Sequence, residues 1–431
     1  MGISNALFTG VSGLDTSGTA ISVIGDNIAN VNTPAFKARR AEFGDLLAQS
    51  LTGSGGFSQL GSGSSVTRVR ANFGQGTFES TGRGTDLAIE GRGFFVVQGT
   101  QGRYFTRNGI FNFDNSGYLV NTQGQRVQGF GIDPATRTST GVLGDIQIQT
   151  AVSPPGPTAN AQISVNLDAN ATAVGPFDPA DPSGTSNFNF PMTTYDSLGN
   201  THSVNFYFSQ SSGGNWDWVA AVDPADTSTP PANPGDSVVV QGSGTLSFDS
   251  QGFLQSATGT NLTFQFSGGA SASQSVQLDF GPIGANASAS SGRTTQFSSP
   301  SAVASFTQDG FASGQIQNIV VDGEGFLTGQ FSNGETVPLA QVALASFANT
   351  EGLVSTGNSN LLETRVSGQA LIGAPQTGTF GTIRPSSIEQ SNVDLANEFV
   401  KLIINQRAFQ ANTRTISTTN DLLANLLSLG Q

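Results

Sequence analysis

Met1–Lys37 reads MGISNALFTGVSGLDTSGTAISVIGDNIANVNTPAFK, and Ser391–Gln431 reads SNVDLANEFVKLIINQRAFQANTRTISTTNDLLANLLSLGQ. Apolar residues recur seven apart in both. The first stretch carries Leu7, Leu14, Ile21 and Ile28, with Ile3, Ile24 and Val31 on the adjoining stripe. The second carries Leu395, Leu402, Phe409, Ile416 and Leu423, with Phe399 and Leu427 beside them. This is the spacing with which one helix packs along another. Two single seams at opposite ends of a long chain predict ends that pair with each other and with neighbouring copies. Gly10 and Ser17 permit close helix approach, and Gln406, Thr413 and Asn420 on the second seam fix register at a cost in stability.

Both helices are predicted to be weak alone. The first holds Gly10, Gly13, Gly18 and Gly25, which together cost roughly 3–4 kcal/mol relative to alanine. It must stop before Pro34, because the residue before a proline avoids the helical region. The second half of the last helix is rich in threonine, and Ser391 with Asp394 three residues on reads as its capping box.

Composition bounds what lies between. The chain has 431 residues, 55 of them Gly and 31 Phe, and 11% are charged. Abundant aromatic and β-branched residues in short runs indicate a β-rich body with many turns rather than disorder. A net charge of −13 argues against nucleic acid and anionic membranes as partners, since both select basic surfaces. With no Cys there is no disulfide, thiol nucleophile or zinc–thiolate site. No basic stretch precedes an apolar one at the start, so no cleaved secretory signal is expected. No apolar run is long enough to span a bilayer.

The fold class predicted is mainly β with α-helical termini: the N- and C-terminal helices paired as a coiled coil, and two nested β domains of barrel or sandwich type. Residues 1–33 and 388–431 form the helical domain, and 34–72 and 362–387 are connecting segments. Residues 73–150 and 298–361 form an inner β domain, and 151–297 an inserted outer one, its start marked by the Pro-rich run Ala151–Pro182. Ala38–Leu51 suggests a short helix, Gly53–Ser65 a Gly/Ser-rich loop or arm, and Gly281–Pro300 a return linker. Glu90–Gly93 reads as a hairpin-like turn between Leu87–Ile89 and Phe94–Val97. A recurring Asp-x-x-Gly before aromatic-Leu, at Asp114–Leu119, Asp249–Leu254 and Asp322–Leu327 with a looser copy at Asp196, reads as a turn with Gly in the left-handed position. A Ca²⁺ loop needs more carboxylates and a terminal Glu.

Catalytic signals are missing. His202 is the one histidine and sits within a strand pattern, which favours a structural role. Lys37 and Lys401 are the two lysines, and neither follows a phosphate-loop glycine pattern. The glycines of Gly82–Gly93 do not follow a strand and open a helix, as a dinucleotide site requires. The carboxylates are scattered in turns, and nothing favours a glycosidase pair. No enzyme activity, cofactor or metal is expected.

Several blocks resemble bacterial flagellar rod and hook proteins, the flagellar axial family. The first is Asn27-Ile28-Ala29-Asn30-Val31-Asn32-Thr33-Pro34-Ala35-Phe36-Lys37; the second, Thr85–Val97; the third, Phe105–Gly109 with Gly117–Val120. The C-terminal block is Ser391–Leu395, Glu398-Phe399 and Asn405-Gln406-Arg407-Ala408-Phe409-Gln410-Ala411-Asn412. The family usually has Gly where this chain has Ala35, which leaves the backbone conformation there open. Length favours a hook subunit over a distal rod subunit, which lacks so large an insert. The resemblance implies a structural protein that assembles with itself into a curved, hollow helical tube, a universal joint carrying motor torque. It implies export by the flagellar type III apparatus without a cleaved signal, and an extracellular place in the hook of the flagellum. The hook cap protein, distal rod protein and hook–filament junction proteins are the implied partners. It also implies that the terminal helices line the channel, and that Cys–Lys cross-links found in some hooks are absent here. The distal rod is the first alternative; a secreted β-rich adhesin would leave the two terminal seams unexplained.

Overall fold

Helices occupy the two ends and strands fill most of the chain between them. The computed structural model describes residues 2–53, 56–133, 136–148, 152–211, 214–283 and 292–429, the side chains of 2–4, 47–60 and 426–429 excepted. Helix α1 is Gly2–Ala29 and helix α2 is Leu395–Leu429. Past α1, the Asn30 side chain donates to the Asp26 carbonyl at 2.9 Å and its Oδ1 accepts from Thr33 Oγ1 at 3.1 Å, so the turn before Pro34 is closed by side chains. At the start of α2 the cap is Asp394 rather than Ser391: Asp394 Oδ1 accepts from the Asn397 N–H at 3.2 Å, while Ser391 Oγ bonds Val393 N outside the helix.

Strands β1 (Arg39–Gly53) and β2 (Gly56–Ala71) form a long antiparallel hairpin, from Arg39↔Ala71 to Gly53↔Gly56. The expected helix over 38–51 and loop over 53–65 are therefore both corrected. The physical reason is tertiary. A lone two-stranded ribbon is marginal, but this one lies along α1, where Asn5 Nδ2 reaches the Gly61 carbonyl and Thr16 Oγ1 lies 3.3 Å from Ser64 Oγ.

The chain divides into two compact units. One comprises 1–149, 318–330 and 336–431, the other 150–317 and 331–335. In the first, strand Phe94–Gly99 is buried on both faces: Phe95 and Val97 join Leu87, Ile89, Phe111 and Leu344, while Phe94 and Val96 join Phe105 and Phe347. Glu90–Gly93 is not a hairpin turn. Leu87–Glu90 pairs with Thr382–Pro385, and Phe94–Gly99 turns back on Gly102–Thr106. Residues 362–387 likewise do more than connect, since Leu371–Gly373 pairs with Leu344–Ser346, and Ser387–Glu389 pairs with Phe78–Ser80.

The second unit has two five-stranded sheets sharing one core. Phe188–Tyr195, Thr201–Gln210, Trp216–Val222, Val239–Phe248 and Leu254–Ala257 make one antiparallel sheet. Alternation points Val204, Phe206, Phe208, Trp216 and Trp218 inward onto Ile163, Val165, Leu167 and Phe264 of the other. Ala302–Gln308 pairs along Asn160–Asp168, so the insert continues to 317 rather than ending at 297. Strand character continues on both sides of that boundary, and only the pairing partner separates them.

The four Asp-x-x-Gly turns share one geometry. Oδ1 of Asp114, Asp196, Asp249 and Asp322 accepts the backbone N–H groups two and four residues on, at 2.8–2.9 Å. The glycines are left-handed, with φ from 79° to 86°. N–H donors surround that oxygen, which suits a turn and repels a cation. At Asp196 the second oxygen takes Asn200 Nδ2 and His202 Nε2 at 2.9 and 3.1 Å, and the His202 ring stacks on Phe266. Burial pushes the Asp196 carboxyl up, but the hydrogen bonds from Asn200, His202 and the Leu198 backbone outweigh it and hold it below the ordinary aspartate value.

Candidate assembly surface

Helices α1 and α2 pack antiparallel. Gly10 lies against Ile416, Gly13 against the Asn412 amide, and Asn27 Nδ2 donates to Glu398 Oε2 at 3.1 Å. Gly10, Ser17, Ala20, Ile24 and Asn27 are buried, marking with Gly13 the stripe of α1 that meets α2. On α2, Glu398 and Thr419 are buried, and Leu402, Asn405, Asn412, Ile416 and Leu423 are half-buried. Glu398, Asn405, Asn412 and Thr419 lie three residues beyond the Leu395–Leu423 repeat, not four.

The contact is therefore rotated from the expected seam. Leu7, Leu14, Ile21, Ile28 and Val31 are half-buried on the flank of the pair. Phe399 is 49% exposed, and Gln406, Thr413 and Asn420 face solvent instead of fixing register. Ile24, Leu402, Ile416 and Leu423 keep their place at the contact. Phe409 sits on its edge, 40% exposed. The side chains of Ile3 and Leu427 lie outside the described residues. The small residues decide the geometry: a side chain on Gly10 would come within 2.9 Å of Ile416, so glycine lets the helix axes close on each other. Val400, Ile403 and Ile404 of α2 and Phe8 and Val11 of α1 are left exposed, as is Leu395 at the start of α2.

The motif residues at and just past the end of α1 have a shared purpose. Asn27 Oδ1 accepts from Arg39 N and its Nδ2 donates to Arg39 O, both at 2.8 Å, which fastens the chain as it reverses into β1. Pro34 O accepts from Ser359 Oγ. The Phe36 carbonyl accepts from Asn392 N, and the Arg39 guanidinium lies 5.9 Å from the Phe36 ring centre. Ala35 keeps a left-handed backbone, φ 58°, and its N–H donates to Glu389 O at 2.8 Å. Its methyl is buried, which offsets part of the strain that glycine would avoid.

Lys37 enters a buried ionic node. Its Nζ donates to Glu389 Oε1 at 2.7 Å and to Gly74 O at 2.9 Å, and Arg107 Nη1 lies 3.5 Å from Glu389 Oε2. The Glu389 side chain is completely buried. Burial lowers the pKa of both cations against the attraction of Glu389. Arg107 also donates to the carbonyls of Ile89 and Gly91. Asn392 accepts from Ala38 N and donates to the carbonyls of Asn72 and Gly74. Segments 35–39, 72–76, 89–91 and 387–392 thus converge on one point. Sequence reasoning missed Glu389 and Arg107, because nothing local marks a charge as buried.

Gln406, Arg407 and Asn412 diverge: Asn412 lies in the helix contact, the other two face solvent. Among the described residues, no group of three or more His, Asp or Glu is placed to hold a metal ion, and no helix is long and apolar enough to cross a membrane.

Residues 7–37 match the family described as flagella basal body rod protein, and 384–429 the flagellar basal body rod FlgEFG protein C-terminal family. Residues 88–174 match the flagellar hook protein FlgE/F/G D1 domain, and 166–311 the flagellar basal body protein FlaE D2 domain. The chain is 33% identical to the flagellar hook protein FlgE of Salmonella typhimurium, over 97% of this chain and 98% of that protein. It is also 33% identical to that of Treponema pallidum, over 98% and 99%. A solved Helicobacter pylori flagellar hook protein FlgE2 superposes with a TM-score of 0.48 at 15% identity, covering 71% of this chain and 99% of that one.

Proposed function

The chain belongs to the flagellar hook protein family, a structural and not an enzymatic one, and from that premise we propose how it builds the hook. Copies associate through the outer sides of the α1–α2 pair to make a curved hollow tube that works as a universal joint. The carrying observation is the exposed apolar surface on both helices. Phe8 is 71% exposed and Ile404 60%, which a finished helix pair in water would not favour. The seam residues Leu14, Ile21, Ile28 and Phe409, half open in one copy, complete their burial against neighbours.

The finer reading keeps the family's expected partners: the hook cap, the distal rod and hook–filament junction proteins, and the type III export apparatus, with an extracellular position. Helices whose contact is largely Gly, Ser, Ala, Asn and Thr suit a chain that stays unfolded in transit and orders on assembly. The insert is read as running to 317, a boundary supported by the pairing of Ala302–Gln308 with Asn160–Asp168. Electron microscopy of the purified chain after polymerisation tests the reading. Curved hollow tubes are expected; straight rigid tubes would favour the distal rod, and no polymer would refute self-assembly. Phe409→Asp should abolish tubes while the β units stay folded, and stable tubes from that variant would remove the seam from the mechanism.

A further inference from the structure

The α1 glycines divide into two kinds. Gly10 and Gly13 are explained inside the chain, since Ile416 and Asn412 lie against them. A side chain at Gly18 or Gly25 would meet nothing within 4 Å among the described residues. Each costs the helix about 0.8–1 kcal/mol with no return inside one copy. At 100° per residue, Phe8, Val11, Asp15, Gly18, Ser22 and Gly25 share the face of α1 opposite the α2 contact. Val400, Ile403, Ile404, Arg407, Ala411 and Arg414 share the corresponding outer face of α2.

The two outer faces are complementary at matching heights. The contacts Gly10–Ile416, Gly13–Asn412 and Asn27–Glu398 set the antiparallel level: the paired numbers sum to about 425. Ser22 and Gly25 thus lie level with bulky Ile403 and Val400, and Gly18 lies level with Arg407, about one turn from Ile404. Bulky Phe8 and Val11 lie level with the stretch from Ala411 to Thr418. There the Thr415 and Thr418 hydroxyls bond back to the carbonyls of Ala411 and Arg414, leaving little polar demand on a neighbour. Asp15 lies level with Gln410, between Arg407 and Arg414, each about one helical turn away. Asp15, Arg407 and Arg414 are exposed, and none has a charged partner among the described residues.

We propose, building on the hook-assembly reading, that the outer face of α2 in one copy seats on the outer face of α1 in the next. The neighbours run the same way with little axial offset. Val400, Ile403 and Ile404 enter the groove over Gly18 and Gly25, and Asp15 pairs with Arg407 or Arg414. Each copy offers two different surfaces, so the contact is heterologous and propagates as a helical polymer needs.

Charge exchange in the full chain tests this pairing. Asp15→Arg alone, and Arg407→Asp with Arg414→Asp together, should each raise the concentration needed for polymer by at least about tenfold, because like charges then meet. An equimolar mixture of the two variants restores opposite charges at every contact and should polymerise near the wild-type concentration. Gly18→Leu, which fills the groove but favours the helix, should block tubes while raising monomer helicity by circular dichroism. Wild-type assembly by the separate charge variants, or failure of the mixture to recover it, overturns the pairing while leaving self-assembly standing. A wild-type chain that never polymerises overturns self-assembly and the pairing together.

Discussion

The helix pair and the inserted β unit bury opposite kinds of surface. The inserted unit closes over Trp216, Trp218, Phe206, Phe208, Phe264 and Phe280, all fully buried. The helix pair closes mostly over small and polar residues, Gly10, Gly13, Ser17, Ala20 and Asn27 against Glu398, Asn405, Asn412 and Thr419, with Ile24, Leu402, Ile416 and Leu423 among them, and leaves several of its large apolar residues outside. Burial of large side chains stabilises a unit on its own. Close packing of small residues supplies fit with little hydrophobic gain, so order depends on what covers the outside. On the assembly reading proposed above, one region folds alone and the other is finished by neighbours.

Trp218→Ala attacks the self-sufficient side and should cost about 3–5 kcal/mol. Denaturant unfolding followed by tryptophan fluorescence should show the loss while helical circular dichroism is unchanged; coincident loss of both signals would break the division. Glu389→Ala tests the node that fastens the helices to strands of their own unit. It leaves Lys37 and Arg107 buried without their counter-charge, a change worth about 3–5 kcal/mol locally. Trypsin cleavage after Lys37 should accelerate, and the tryptophan transition of the insert should stay in place.

Gly10→Val is a smaller change, about 1–3 kcal/mol of overpacking against Ile416, and should separate the helices in the free chain. Gly18→Ala sharpens the contrast in the other direction. With open space at that site, it should stabilise α1 by about 0.8–1 kcal/mol, read as a gain in monomer helicity. The smallest effect concerns acid. Asp196 is held below the ordinary aspartate value, so its contribution is present above about pH 4 and is lost as pH falls through its folded value. Asp196→Asn should flatten that part of the insert's acid unfolding curve, measured by tryptophan fluorescence.

The terminal sevenfold repeats, the break at Pro34, the β character of the middle and the Asp-x-x-Gly turns were legible in the residues because each depends on local spacing or backbone preference. Ala38–Leu51 was not: its apolar residues fit a short helix until β2 and α1 supply partners. The end of the insert was equally hidden, since Ala302–Gln308 reads as one more strand and only its pairing with Asn160–Asp168 assigns it to the insert. Sequence by itself determined that the ends are helices with repeating apolar stripes. Tertiary structure decided which stripe faces the partner. Two helices approach as closely as their smallest residues allow, so Gly10, Gly13 and Ala20 took the contact beside Ile24 and Ile416, while Leu7, Leu14, Ile21 and Ile28 were turned to its flank. Charge burial at Lys37, Arg107 and Glu389 belongs to the same category. A side chain's type is written in the sequence, but its solvent exposure is set by segments far apart in the chain meeting at one point.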